Sequence, residues 1–454
     1  MRSPLAIVVP LAASLLTSCS LTRTHYNRPN MPLSATYEHA DANARASIDQ
    51  WWRSFSDTNL NALIDEVLKK NSDLALADLN VRIAQLQTHL AIINPIVSVG
   101  YAYDYSKPVK GAVAATQFHS LTALASYEPD LWDQLGALED VARWEARATQ
   151  QDRQSAALAL VGAAVNLYFQ LAYLNYRVTL GEQSIAYAAI ILQLVEVRKA
   201  AGGASQLEVA EAEQSLGSQK ASQVDLIEQR VEIRSELTVL LSGTSWPQSA
   251  ERLAVPEGPP PSVAAGLPSS LLDRRPDLRA AELRLRETLA QTDATRLSFY
   301  PNFALTGSLG TASTGLTELV SNPLGSVAAA LSVPLVQLNQ ARFATKVART
   351  LYDKAAVSFR KTFLQALIDV DNALSARAQL ANEAIQLEHL HESAKTAERL
   401  YQVRYRAGAV GLQAWLDAHQ SRQAAEIALA ANRLSRLQNY ASLCQALGGD
   451  ADHL

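Results

Sequence analysis

From Leu60 onward, apolar residues recur every three or four positions: Leu60, Leu63, Ile64, Val67 and Leu68. That spacing predicts one face of an amphipathic helix. Asp57 or Thr58 fits its N-cap, and the helical run stops at Asn94-Pro95. At Val97 the period drops to two. Val97, Val99, Tyr101, Tyr103 and Tyr105 alternate with Ser98, Gly100, Ala102 and Asp104, which predicts a strand over about 96–105 with one bulky and one small or polar face. A second strand, about 117–127, sets Leu121, Ala123, Ala125 and Tyr127 against Thr122, Leu124 and Ser126. Taken alone, the tyrosine stripe reads first as the buried face of a soluble sandwich, with a membrane wall as the alternative.

Between Pro129 and Pro247 there is no proline, and the stretch is rich in Ala, Leu, Glu and Gln. Split at Gly202-Gly203, it predicts two helices of roughly 65 and 40 residues, ~100 and ~60 Å long. On the second, Val224, Ile227 and Val231 form one stripe and Leu226, Ile233, Leu237 and Leu240 another. Two seams predict neighbours on both sides.

Residues 247–270 read as a proline-rich linker. The whole pattern then returns. A helix over Leu271–Leu297 precedes strands at about 302–310 and 324–333, and a second proline-free run reaches Leu454. Pro301 follows Pro95 by 206 positions, as Gly408 follows Gly202 and Asp417 follows Glu211. The chain is thus an internal duplication, 51–246 and 271–454. Each half is helix, strand, strand, long helix, turn, helix, in a mainly α fold. Four strands are too few to close a barrel, and open edges cannot face lipid. If the strands span a membrane, several copies must pool them, and three copies would give twelve.

Composition narrows the function. Charged residues are 19% of 454 and the net charge is −4, without the basic excess of a nucleic-acid binder. Two cysteines cannot make a disulfide framework. Beyond the N-terminus no stretch reads as a spanning helix. Residues 1–18 read as a signal peptide with Arg2 and an apolar core. Leu16-Thr-Ser-Cys19 resembles a lipoprotein cleavage site, implying covalent lipid (palmitate included) on Cys19 and an anchored, extended segment over 19–50. An ordinary signal with an incidental cysteine is the alternative. No nucleophile–base pair, phosphate loop or metal-ligand spacing stands out, so the reading is no enzyme, no metal and no cofactor. His389 and His391 read as solvated, and Cys444 as apolar filler.

The segment Leu271-Leu-Asp-Arg-Arg-Pro-Asp-Leu-Arg-Ala-Ala-Glu282 carries a family resemblance, with Phe299-Tyr-Pro-Asn302, Trp51-Trp52, Tyr127-Glu-Pro-Asp-Leu-Trp132 and the two glycine turns. Over nearly the whole mature chain the sequence resembles the outer membrane factor (TolC-like) family, in its NodT/efflux lipoprotein branch. The resemblance implies a homotrimer in the bacterial outer membrane, with a twelve-stranded β-barrel over a long periplasmic α-helical barrel. Its closed end opens when a periplasmic adaptor and an inner membrane pump, of the resistance-nodulation-division type, dock. It implies passive efflux of small molecules such as drugs or metal ions, and multidrug resistance. Alternatives are the exit duct of an ABC-type protein secretion system, or a lipid-anchored coiled-coil scaffold.

The resemblance also implies a periplasmic gate at the turns of Gly202 and Gly408. Tyr405 matches an aromatic that hydrogen-bonds an acid, here Glu208, a contact worth about 1.5–3 kcal/mol. Asp417 matches a constriction acid that threefold symmetry would gather into a ring. Gln413 stands where relatives have Leu, and Ala414 replaces an acid of some relatives. The plain alternative makes Tyr405 and Glu208 surface residues of a turn, and Asp417 a helix-dipole partner. The sequence departs from the family at Pro334-Leu-Val-Gln-Leu-Asn-Gln-Ala-Arg342, which lacks an acidic-Gly-Gly pattern.

Overall fold

The computed structural model describes residues 23–31, 37, 50–91, 93–110, 114–263, 270–316, 323–333 and 337–449. The expected signal 1–18, Cys19, most of the segment to residue 50 and the start of the Pro334 motif lie outside the described residues. The elements are α1 (Thr58–Lys70), α2 (Ser72–Ala91), β1 (Ile96–Ser106), β2 (Thr116–Tyr127), α3 (Gln134–Ala200) and α4 (Gln206–Leu240). The second half follows with α5 (Leu271–Arg274), α6 (Pro276–Leu297), β3 (Asn302–Ser313), β4 (Pro323–Ser332), α7 (Leu338–Arg406) and α8 (Leu412–Ala446).

The chain divides into two compact units, and neither is a sequence half. The first holds the described residues up to Met31, Asn80–Gln150 and Ala280–Lys361. The second holds the described residues of Pro32–Leu79, Gln151–Arg279 and Thr362–Leu454. Each unit draws on both repeats: in the first the β2–β3 ladder joins the halves, and in the second α4 packs against α8.

In the first unit the four strands form one antiparallel sheet in the order β1-β2-β3-β4. The β2–β3 ladder, with Ala123 opposite Leu309, joins the two repeats. Register puts Tyr103 opposite His119 and Leu305 opposite Ala329. Since side chains alternate, one face gathers Val99, Tyr101, Leu121, Leu309 and Val327. The other gathers Gly100, Thr122, Ser308 and Ser326, and the Ser308 and Ser326 hydroxyls hydrogen-bond at 2.7 Å. Every residue of β1 and β4 is exposed, so among the described residues nothing covers the bulky face. The sandwich reading of the tyrosine stripe fails on that observation. Below the strands, Asn94 and Glu128 exchange two hydrogen bonds, and the Trp132 indole donates to the Pro301 carbonyl at 2.6 Å. Residues just after the lipidation candidate are clamped: Arg23 pairs with Asp133 and Asp140, and Arg28 with Glu282. Burial pushes the Glu282 carboxyl up, but hydrogen bonds from Arg28 and Arg286 outweigh it and hold it below its ordinary range.

In the second unit, α1 starts at Asp57, whose carboxylate accepts from the Asn59 and Leu60 amides. The Tyr168 hydroxyl and Arg252 also donate to it. Leu60, Leu63, Ile64 and Val67 are fully buried, beside an aromatic cluster in which Phe55 lies 5.0 Å from Phe169 and 5.2 Å from Tyr440. Of the two seams expected on α4, Leu226, Ile233 and Leu237 are buried within the chain; Val224, Ile227 and Val231 remain exposed. Two expectations need correcting. Helix α3 does contain an apolar stretch long enough to cross a membrane, but most of it is buried, as in a core helix. His391, read as solvated, is half-buried with its Nδ1 covered and unpartnered. Cys444 is a buried free thiol, pushed up to about 12 by burial.

Candidate gate at the glycine turns

Each long helix ends where a glycine takes the left-handed conformation that side chains avoid. Gly202 has φ +73° and Gly408 φ +71°. Around the first, the Gly203 amide donates to the Arg198 carbonyl at 2.7 Å; around the second, the Ala409 amide donates to the Arg404 carbonyl at 2.9 Å. The equivalent geometry follows from the duplication. What comes next differs. Helix α4 opens with a capping box: the Glu208 amide donates to the Ser205 hydroxyl, and the Ser205 amide to the Glu208 carboxylate. Helix α8 opens on Gly411 with no side-chain cap.

Between the turns lies a small apolar core of Ile191, Val195, Val209, Ala212, Tyr405, Leu412, Trp415 and Leu416. Tyr405 is 1% exposed, with its ring 5.3 Å from Trp415. The Arg198 guanidinium covers that ring, 4.7 Å from its centroid, and donates to the Gly203 carbonyl at 3.1 Å. The Tyr405 hydroxyl is buried and meets no hydrogen-bond partner of normal geometry among the described residues. Arg198 lies close enough to act on it, chiefly through its charge. Burial raises the phenol's pKa, Arg198 lowers it, and the charges of Glu208 and Glu211 raise it further; the net is upward.

The structure therefore brings Tyr405 and Glu208 into one neighbourhood but does not join them. Glu208 spends its carboxylate on its own helix start, because Ser205 three residues earlier offers it an amide. Gln413 and Asp417 are exposed and bonded to each other, Nε2 to Oδ1 at 2.7 Å. One turn of α8 further on, a polar knot links three helices. Glu398 of α7 receives the Arg422 guanidinium at 2.6 Å and lies 2.7 Å from His419 Nδ1. The Tyr187 ring of α3 stacks on His419 at 4.4 Å; burial and then the Glu398 charge push its phenol up to about 12. Arg198, Glu398, His419 and Arg422 were not singled out from the sequence. A lone His or Arg in a charge-rich helix carries no local signal of what another helix brings to it.

The family model described as outer membrane efflux protein matches residues 63–243 and 267–449. The chain is 29% identical to the pyoverdine export outer membrane protein OpmQ of Pseudomonas putida, over 97% of this chain and 96% of that protein. It is 26% identical to the toxin and drug export protein A of Aggregatibacter actinomycetemcomitans, over 98% and 97%. A solved structure of the outer-membrane channel OprN superposes with a TM-score of 0.82 at 25% identity, covering 94% of this chain and 98% of that one.

Proposed function

Because the chain belongs to the outer membrane efflux protein family, we propose that it is the outer-membrane exit duct of a tripartite export assembly. It conducts small molecules passively and catalyses no reaction. The observation that carries this is the sheet: among the described residues it has four strands, two exposed faces of opposite character, and two unpaired edges, β1 and β4.

An exposed edge of ten or more residues invites another strand. The helices joined to those edges point the same way. Helix α2, which leads into β1, exposes Ile83, Leu86 and Leu90; helix α7, which follows β4, exposes Phe343, Val347 and Leu351. A head-to-tail contact of β4 and α7 on β1 and α2 of the next copy covers all four surfaces and closes as a ring. Three copies supply twelve strands, enough for a barrel, and this makes the chain a homotrimer with its bulky face toward lipid. The adaptor and the inner membrane pump, of the resistance-nodulation-division type, dock at the periplasmic end, where the turns of Gly202 and Gly408 with Tyr405, Glu208, Gln413 and Asp417 form the gate. Lipid on Cys19 anchors the chain, and the Arg23 and Arg28 clamps hold the residues beside it.

Planar-bilayer recordings of purified protein test the duct: discrete conductance from an SDS-resistant trimer is expected, and trimers that insert without conducting refute it. Mass spectrometry of the mature N-terminus tests the lipid. A relative whose name joins toxin with drug export keeps one second reading open, a duct for an ATP-driven polypeptide exporter. Crosslinked capture of the inner membrane partner decides between the two.

A further inference from the structure

We propose that Arg198 is the side chain that holds the two glycine turns together, so that the closed tip is locked by a cation–π contact on Tyr405. The proposal rests on the duct reading and names the residue that regulates it. Arg198 sits in the last turn of α3. Its guanidinium carbon is 4.7 Å above the Tyr405 ring, in the last turn of α7. The same guanidinium donates from Nη2 to Gly203 in the turn before α4. Through Tyr405 it reaches Trp415 of α8 at 5.3 Å. One planar, permanently charged group thus touches the first turn directly and the second helix pair through a buried ring.

Two further observations favour it over a phenol–carboxylate latch. Glu208 is committed to its capping box. The Tyr405 hydroxyl is covered, so no acceptor from outside the chain reaches it without a rearrangement, and among the described residues no acceptor meets it. The face of the ring is what the guanidinium covers. Release of Arg198 would loosen α7 and α8 from α3 and α4 at the tip while each turn kept its glycine geometry. Lysine would keep the charge but lose the fork that spans ring and carbonyl.

The test is single-channel recording of the full-length trimer with Arg198→Ala, Arg198→Lys, Tyr405→Ala and Tyr405→Phe, each first confirmed as an SDS-resistant trimer. Arg198→Ala and Tyr405→Ala are expected to raise the open fraction by roughly twofold to thirtyfold, the equilibrium equivalent of one half-exposed cation–π contact. Arg198→Lys should fall between Arg198→Ala and wild type. Tyr405→Phe keeps the aromatic face and should open far less than Tyr405→Ala. The proposal is overturned if Arg198→Ala gates like wild type while Tyr405→Ala opens, or if Tyr405→Phe opens as far as Tyr405→Ala. Should no form conduct although trimers insert, the duct reading falls, and the lock with it.

Discussion

Replacing Val327 or its neighbour Ala328 by arginine asks which face of the sheet meets lipid. Val327 is the fifth residue of β4, opposite Gly307, and is 90% exposed in the single chain. Ala328 is the next residue, so its side chain leaves from the other face. On the lipid face at mid-depth an arginine costs about 2–4 kcal/mol, and three copies in a trimer would bear about 6–12 kcal/mol together. Near the strand's end the same change costs only ~0–1 kcal/mol, which sets Leu331→Arg as a depth control on the same face. A pore-facing arginine meets water and leaves assembly intact, while a ring of three cations shifts selectivity toward anions. The assay is the amount of heat-modifiable trimer in the outer membrane fraction, followed by reversal potentials in a salt gradient. Val327→Arg should strongly reduce trimer, Leu331→Arg only slightly, and Ala328→Arg should assemble with altered selectivity. Normal assembly of Val327→Arg with failure of Ala328→Arg would refute the assignment of faces.

Asp57→Ala removes the cap of α1 and leaves Arg252 and Tyr168 without their acceptor; a loss of about 2–4 kcal/mol is expected by thermal circular dichroism, with Asp57→Asn milder. Burial raises the Asp57 pKa, but hydrogen bonds from Tyr168, the Leu60 amide and Arg252 bring it below the ordinary value. Its contribution is therefore complete above the usual aspartate range and is lost as pH falls through the lower folded value; acid melts of wild type and Asp57→Asn should converge there. Gly202→Ala forces an alanine into φ +73° and should destabilise the first turn by about 1 kcal/mol, read as faster amide exchange in the neighbouring turns. Ser205→Ala breaks the capping box, costing about 1 kcal/mol, and frees Glu208, so infrared bands of its carboxylate should change.

Much of the fold is legible in the chain because it rests on local periodicity. The change from a helical period to alternation at Val97 marks β1, and the 206-residue offset marks the duplication. The glycines of both turns are readable because a left-handed residue admits little else. The candidate gate was legible only in part. Gly202 and Gly408 can be found by position, and Tyr405 and Glu208 only through the family resemblance; nothing in their spacing says that Glu208 will bond Ser205's amide or that Arg198 will lie on Tyr405.

Which segments are helix or strand, where the turns fall and which strand face is bulky all depend on residues a few positions apart, so the chain order alone shows them. Long-range packing, in contrast, interleaves the halves into two units, joined across β2 and β3 in the first, and leaves Val224, Ile227 and Val231 uncovered while Leu226 and Ile233 are buried. It also decided that the Tyr405 hydroxyl is left without a partner under Arg198. Those outcomes depend on which surfaces from distant parts of the chain compete for the same space, and periodicity along one segment carries no information about its competitors.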